Sequence, residues 1–432
     1  MIDIEKGAVE LAENLIQFID ESPTSFHAGQ SIMDNLIECG FTKLDPSKSW
    51  TLEPGKGYFT EHNYSAVIAF RIGNKPATES GFNIVGAHTD SPSLKLKVSS
   101  EQITKGCAKI GVEVYGSPII NTWLDRNLAI AGKVMVKKGS SYISKLVNIS
   151  EPIAMIPNLA IHLNRDVNKG IELNKQTHLP VILGCVASEE NEILKGLISA
   201  ELNVDSELIG EMDLFLYDFN GGELCGLDDA LITAARIDNL AMCHAVVTSL
   251  CDSDQGDATA VGVFFDHEEV GSRSSQGADS NLLKNVLKRI VMVQDDDRQA
   301  YFRAVAHSFM ISADGAHAVH PNYVEKHDSS YAPEINGGPV IKLNANMRYT
   351  TTAESANKFI ELCELTNVPF QKMTNRSDMA CGSTIGPVCS ATLGIPSVDV
   401  GTPMWAMHSI RETTGVYDHY YMTEVLKTFY SI

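Results

Sequence analysis

The sequence predicts an α/β fold: a layered αβα domain on a largely parallel central sheet, interrupted by an inserted, mostly β domain. Three observations carry this reading. The chain has 432 residues, more than the roughly 250–300 at which a single core stops growing. After Asp238 strand-like and helix-like runs alternate, the pattern of a parallel sheet with covering helices. Between about Leu94 and Tyr217 the texture changes to short β-rich pieces broken by Gly, Asn and Ser. The expected boundaries are 1–93 with 232–432 for the discontinuous layered domain, and 94–231 for the insertion.

Taken in order, the chain opens with two helical patterns. Leu11, Leu15, Phe18 and Ile19 share one face of the first, and the second follows Ser22-Pro23 and stops at Gly40. Strand-like runs come next at Tyr64 to Ile72 and Phe82 to Gly86. The insertion contributes Leu94 to Val98, Lys109 to Tyr115 and Lys133 to Val136. Beyond it, Asn239 to Leu250 reads as a helix, Ala258 to Phe265 as a buried strand and Leu282 to Ile290 as a helix. Strands at Phe309 to Ser312 and Val340 to Leu343, a helix at Ala353 to Leu365, a strand at Ser397 to Val400 and a helix near Met422 to Tyr430 complete the pattern.

Composition narrows the function. Hydrophobic content of 44% and charged content of 20% belong to a globular protein with a sizeable core. With 34 Lys and Arg against 54 Asp and Glu, the formal charge is −20. Such a field repels phosphate backbones and anionic lipid, so nucleic acid and membrane are poor partners. An acidic substrate would need a local basic pocket. Nine scattered cysteines form no CxxC pair, and their plain reading is small buried thiols suited to a reducing cytosol. The acidic first residues do not read as a secretory signal, and no run approaches the ~18 apolar residues of a membrane span. The expected location is cytoplasmic.

Several buried-looking strands end in metal-capable residues. Phe82 to Gly86 leads to His88 and Asp90, Ala258 to Phe265 to Asp266, His267, Glu268 and Glu269, and Phe309 to Ser312 to Asp314, His317 and His320. Ser397 to Val400 leads to His408, and Asp238 stands at the mouth of a helix. Singly, each has a plainer role: a hydrogen-bonded histidine, a helix N-cap, a solvated acidic corner, a turn. Jointly, at the strand ends where α/β sheets bind ligands, they suggest a site. A pair of divalent ions about 3.5–4 Å apart needs a bridging carboxylate with a few His and carboxylate ligands. That donor set suits zinc, with cobalt or manganese as alternatives. The assignment gives one ion His88 and Asp314, the other Glu269 and His408, with Asp238 shared. Asp90 would accept the outer N–H of His88. If 268 and 269 continue a strand, their side chains face opposite ways, leaving Glu268 as general base for water attack on a carbonyl.

At these residues the sequence resembles the aspartyl aminopeptidase family of co-catalytic zinc aminopeptidases. GAHTDSP (Gly86 to Pro92), RIDNL (Arg236 to Leu240), DHEEVGS (Asp266 to Ser272), SADGAHAVHPN (Ser312 to Asn322) and MHSIRE (Met407 to Glu412) occur in family order along essentially the whole chain. The resemblance implies that His88, Asp238, Glu269, Asp314 and His408 bind two zinc ions, that Glu268 is the base and that Asp90 is a supporting acid. It implies peptide substrates with a free N-terminus, and a preference for Asp or Glu there, met by Lys342 with His317 nearby. Tyr349 would line the same pocket, and His162 would reach in from a neighbouring subunit. The inserted domain would build dimers that assemble into a dodecamer. The other readings are a related two-zinc carboxypeptidase or deacylase, and a non-catalytic assembly protein.

Overall fold

The computed structural model describes residues 2–186 and 192–432, and its described residues group into two compact units. The first comprises Met1–Asp90, Gly222–Met407 and Glu412–Ile432, and the second Ser91–Gly221 with His408–Arg411.

The first unit is built on a nine-stranded sheet. Its strands in chain order are β1 (Thr42–Lys43), β2 (Gly57–His62), β3 (Ala66–Arg71), β4 (Phe82–His88), β5 (Thr259–Phe265), β6 (Phe309–Ala313), β7 (Val340–Lys342), β8 (Gln371–Met373) and β9 (Ser397–Gly401). In space they run β1-β2-β3-β5-β4-β6-β9-β7-β8. The central four, β5, β4, β6 and β9, are mutually parallel, while β3 and β7 flank them antiparallel.

Continuous apolar runs form the central strands because helices cover both faces. Val85 and Ala87 of β4 and Phe264 of β5 pack into one core with helices α1 (Ile2–Asp20), α2 (Ser25–Glu38) and α3 (Ile237–Asp252). Their alternating neighbours Ile84, Val263 and Phe265 enter a second core with α4 (Leu282–Gln294). The period of two that sends successive side chains to opposite faces thus makes the three layers. Each of these side chains is essentially inaccessible, and the Val, Ile and Phe among them are worth about 1.5–3 kcal/mol each against exposure. After α2 and its cap Cys39 comes Gly40 at φ +82°, a left-handed stop open to glycine.

A smaller five-stranded sheet in the same unit joins Glu223–Cys225, Leu231–Ala234, Glu412–Gly415, Pro403–Trp405 and Ala316–His317. It brings the chain just before Asp238, just after Asp314 and around Glu412 into one place.

In the second unit a five-stranded antiparallel sheet is ordered Ser141–Ala154, Leu128–Lys138, Ile209–Asp218, Ser93–Leu96 and Val112–Tyr115. Val181–Cys185, Cys107–Ile110 and Gln102–Thr104 form a second antiparallel sheet. Leu94, Ile130, Leu214 and Leu216, with Ile198 of the helix Ile193–Leu202, fill its core.

One expectation is corrected here. Cys39 and Cys251, read as ordinary thiols, are joined in a disulfide. Cys39 caps the end of α2 and Cys251 lies in the last turn of α3, so the packing of two helices 212 residues apart in sequence brings them together. Among the described residues seven cysteines are free, and no helix is long and apolar enough to cross a membrane.

Candidate metal centre

The site of the first unit gathers where β4, β5 and β6 end. His88 is the last residue of β4, Asp314 follows β6 directly, and Glu268 and Glu269 follow β5 by three and four residues. Asp238 comes from the first turn of α3 rather than its N-cap, which is Arg236. There the Asp238 N–H donates to Glu412 Oε2 at 2.9 Å, and Asn239 Nδ2 donates to the Ala313 carbonyl at 2.9 Å. The first bond ties the start of α3 to the strand Glu412–Gly415 and the second ties it to the end of β6, beside Asp314.

His88 lies at the centre. Its Nε2 is 3.6 Å from Asp238 Oδ1 and 3.8 Å from Asp314 Oδ2. One ligand atom each from His88, Asp238 and Asp314 lies within 4.8 Å of the others, as does one each from His88, Glu268 and Glu269. On its outer side His88 Nδ1 faces the Asp90 main-chain oxygen at 3.0 Å and Asp90 Oδ1 at 3.3 Å. Cys243 Sγ donates to the His88 carbonyl at 3.0 Å. His88, Asp90, Asp238 and Asp314 are buried, whereas Glu268 and Glu269 are half-buried.

The expectation that Glu268 and Glu269 alternate along a strand is corrected. Residues Glu268–Val270 form a single 3-10 turn entered through His267 at φ +65°. The turn forms because Asp90 anchors it: Oδ1 accepts the Glu268 N–H and Oδ2 the Glu269 N–H, both at 3.1 Å. The two glutamates are therefore told apart by surroundings, not by strand period.

Electrostatics show what the cluster favours. Burial pushes Asp314 up, and Asp238 adds to this against the pull of Lys342 and His88. Burial likewise drives Glu268 up to about 8, with His88 opposing and Asp314, Glu269 and Asp90 adding. For His88 burial works downward, yet the surrounding Asp90, Glu268 and Asp314 win and lift it well above the usual range. A dry site crowded with carboxyl groups favours added positive charge. Imidazole with carboxylates is a donor set that zinc and its neighbours accept, so the residues fit a divalent ion.

The pocket residues divide. Lys342, in β7, is buried, with Nζ 3.2 Å from Asp314 Oδ1. It sits over the buried Tyr349 ring at 5.4 Å from the centroid. Burial pulls the Lys342 ammonium down, but Asp314, Tyr349, Asp399 and Asp238 outweigh it and hold it above its ordinary value. His317, three residues after Asp314, is exposed. His320 packs its ring on Tyr323, 5.0 Å between centroids. His244 and His267 bond elsewhere, to His419 and Ser274. In the second unit His408 is half-buried, its Nδ1 3.1 Å from the Ser117 carbonyl and its own carbonyl accepting the Ile119 N–H. His162, also there, is exposed in the turn 161–163.

A family model described as aminopeptidase I zinc metalloprotease (M18) matches residues 18–430. The chain belongs to the M18 aminopeptidase family. A Clostridium novyi (strain NT) protein named "Probable M18 family aminopeptidase 2" is 47% identical over 433 residues, covering 99% of this chain and 100% of its own. The cryo-EM structure of the Ape4 and Nbr1 complex contains a chain with TM-score 0.96 and 36% identity, covering 99% of this chain and 86% of that one. The yeast mApe1 dodecamer matches with TM-score 0.85 and 26% identity, covering 97% and 96%. As an M18 aminopeptidase the protein is a zinc metalloprotease and a hydrolase. This membership decides against the carboxypeptidase, deacylase and non-catalytic readings.

Sequence reasoning missed three supports of this M18 site: Glu412 beneath Asp238, Cys243 beneath His88, and Asp399. The buried Asp399 carboxylate accepts the Thr350 N–H and the Thr384 hydroxyl, both at 2.6 Å, fixing the chain next to Tyr349. Glu412 lies inside the MHSIRE segment, which was the available signal. The others act across distances that no local pattern reports.

Proposed function

We propose that this M18 aminopeptidase removes single N-terminal residues, preferring Asp and Glu, with two divalent ions per chain. Zinc is the expected metal, with cobalt or manganese able to replace it. The observation that carries the reading is the buried convergence of His88, Asp238 and Asp314 with Glu268 and Glu269 alongside. His88 and Asp314 would hold one ion, Glu269 and His408 the other, and Asp238 would be shared. His408 enters on its place in the chain, immediately after Met407 and within the MHSIRE segment.

When bound, the ions supply Lewis acidity toward water and toward the scissile carbonyl. Glu268, half-buried beside His88 and Glu269, is suited to take a proton from the attacking water and pass it to the leaving amine. Asp90 acts through its neighbours, holding the Glu268–Glu269 main chain and the outer nitrogen of His88.

Lys342 supports the acidic preference. It offers a cation inside an acidic cluster, where a carboxylate side chain of the substrate would otherwise be repelled. His317 and Tyr349 complete that pocket in this reading. The exposed Leu159, Ile161 and Leu163 around His162 suit a subunit interface, and the dodecameric yeast relative supports a homo-oligomer. His162 would then serve the site of a neighbouring subunit. A cytoplasmic location belongs to this reading on the strength of the seven free thiols, with the Cys39–Cys251 bond counting against it.

The test is initial rate on aspartyl, glutamyl, leucyl and N-acetyl-aspartyl anilides. Faster cleavage of the two acidic free-amine substrates is expected. Equal rates for acidic and leucyl anilides would remove the acidic preference, and cleavage of the N-acetyl compound would remove the aminopeptidase specificity.

A further inference from the structure

The second unit carries a pair of thiols that the peptidase reading does not use. Cys107 ends the strand Cys107–Ile110 at its outer side, and Cys185 stands directly opposite it on the antiparallel strand Val181–Cys185. Their sulfur atoms are 3.5 Å apart. Cys185 is exposed and Cys107 half-buried, so both are open to a small reagent. In contrast, Cys243, Cys363 and Cys389 are buried, and Cys39 is already bonded to Cys251.

The register matters. The Val186 N–H donates to the Gly106 carbonyl at 2.9 Å, which marks 186 and 106 as a hydrogen-bonded pair. Pairs alternate along an antiparallel ladder, so Cys107 and Cys185, the next pair inward, are not hydrogen-bonded to each other through the main chain. Such pairs have the closer spacing, Cα to Cα about 4.5 Å, inside the roughly 4.4–6.8 Å span of disulfides. Closing the sulfur separation to the ~2.05 Å of a bond asks for side-chain rotation and no strand movement.

We propose that Cys107 and Cys185 form a dithiol site that a small-molecule disulfide oxidises to an intramolecular disulfide. The more exposed Cys185 reacts first: its thiolate attacks one sulfur of the reagent, displacing one thiolate and leaving a mixed disulfide. Cys107, deprotonated, then attacks the Cys185 sulfur and displaces the second thiolate. The two protein thiols lose two electrons, which reduce the reagent to two thiols that take up the two protons. Cys107 is held above the usual thiol range, chiefly by its hydrogen bond with Cys185, which agrees with its acting second. The bridge would fasten Val181–Cys185 to its neighbour across 78 residues of sequence.

The experiment treats the purified full-length protein with oxidised glutathione, alkylates the remaining thiols and maps the peptides by mass spectrometry. The expected result is a cross-linked peptide pair containing Cys107 and Cys185, lighter by two hydrogens than the reduced pair and released by excess reduced glutathione. C107S is expected to retain glutathione on Cys185 without any cross-link. Wild-type protein in which both cysteines remain alkylatable, or carry separate glutathione adducts, would overturn the proposal. So would a cross-link from Cys185 to a different cysteine in C107S at the wild-type yield.

Discussion

Asp90 holds Glu268 by its main chain, with Oδ1 accepting the Glu268 N–H at 3.1 Å. The other oxygen accepts the Glu269 N–H at the same distance, so one buried carboxylate sets the turn carrying both glutamates. Hydrogen bonds to a charged acceptor contribute about 1.5–3 kcal/mol each. D90A should keep the fold by circular dichroism yet lose about 10–100-fold in kcat/KM, the usual cost of removing a ligand's support. D90N, which keeps one acceptor oxygen, should lose less. A D90A enzyme as active as wild type would mean that the turn is positioned without this carboxylate.

Glu268 and Glu269 have different duties in this account. E268Q should lower kcat by about 10²–10⁴-fold, the range of a general base, with metal content unchanged. E269Q should instead bind metal less tightly. Elemental analysis beside steady-state rates separates the two, and substantial turnover in E268Q would remove it from the proton transfer.

Lys342 and Asp314 are a buried pair at 3.2 Å. Removing one partner of such a pair costs about 3–5 kcal/mol because the other charge is left buried. Metal-free K342M should therefore unfold at lower urea than metal-free wild type, and zinc should narrow the gap. Its acidic-to-leucyl ratio of kcat/KM should fall as well. A ratio unchanged in K342M would detach Lys342 from substrate selection.

Much of the architecture was legible because its signals are local. Phe82 to Gly86 and Ala258 to Phe265 read as strands because both faces are covered, so nearly every position is apolar until the functional end. His88 was visible as the polar residue that ends the first run, and Asp314 as the one that follows Phe309 to Ser312. What stayed hidden is set by packing at long range: the Cys39–Cys251 bond, the support of Asp238 by Glu412 and the anchoring of Thr350 by Asp399. The strand alternation expected of Glu268 and Glu269 failed for a related reason, since the Asp90 carboxylate, 178 residues away, bends that segment into a turn.

The buried His244–His419 contact predicts a pH effect on stability. His244 faces the His419 ring at 2.9 Å and the Phe18 ring, and burial lowers it from 6.5 to about 4. The folded protein therefore keeps it neutral while the unfolded chain takes up a proton first. Stability from this group is full above pH 6.5 and is lost as pH falls towards 4. Between pH 7 and 5 that loss is about 2 kcal/mol. Urea unfolding at the two pH values should show H244Q losing correspondingly less than wild type. Equal losses would assign the acid sensitivity to other groups.

The central claim is that two ions share Asp238, and metal content of D238N measured beside wild type tests it most directly. After dialysis against trace zinc, wild type should retain about two ions per chain, while D238N should retain close to none and lose turnover with them. A D238N protein that keeps both ions and wild-type turnover would contradict the account.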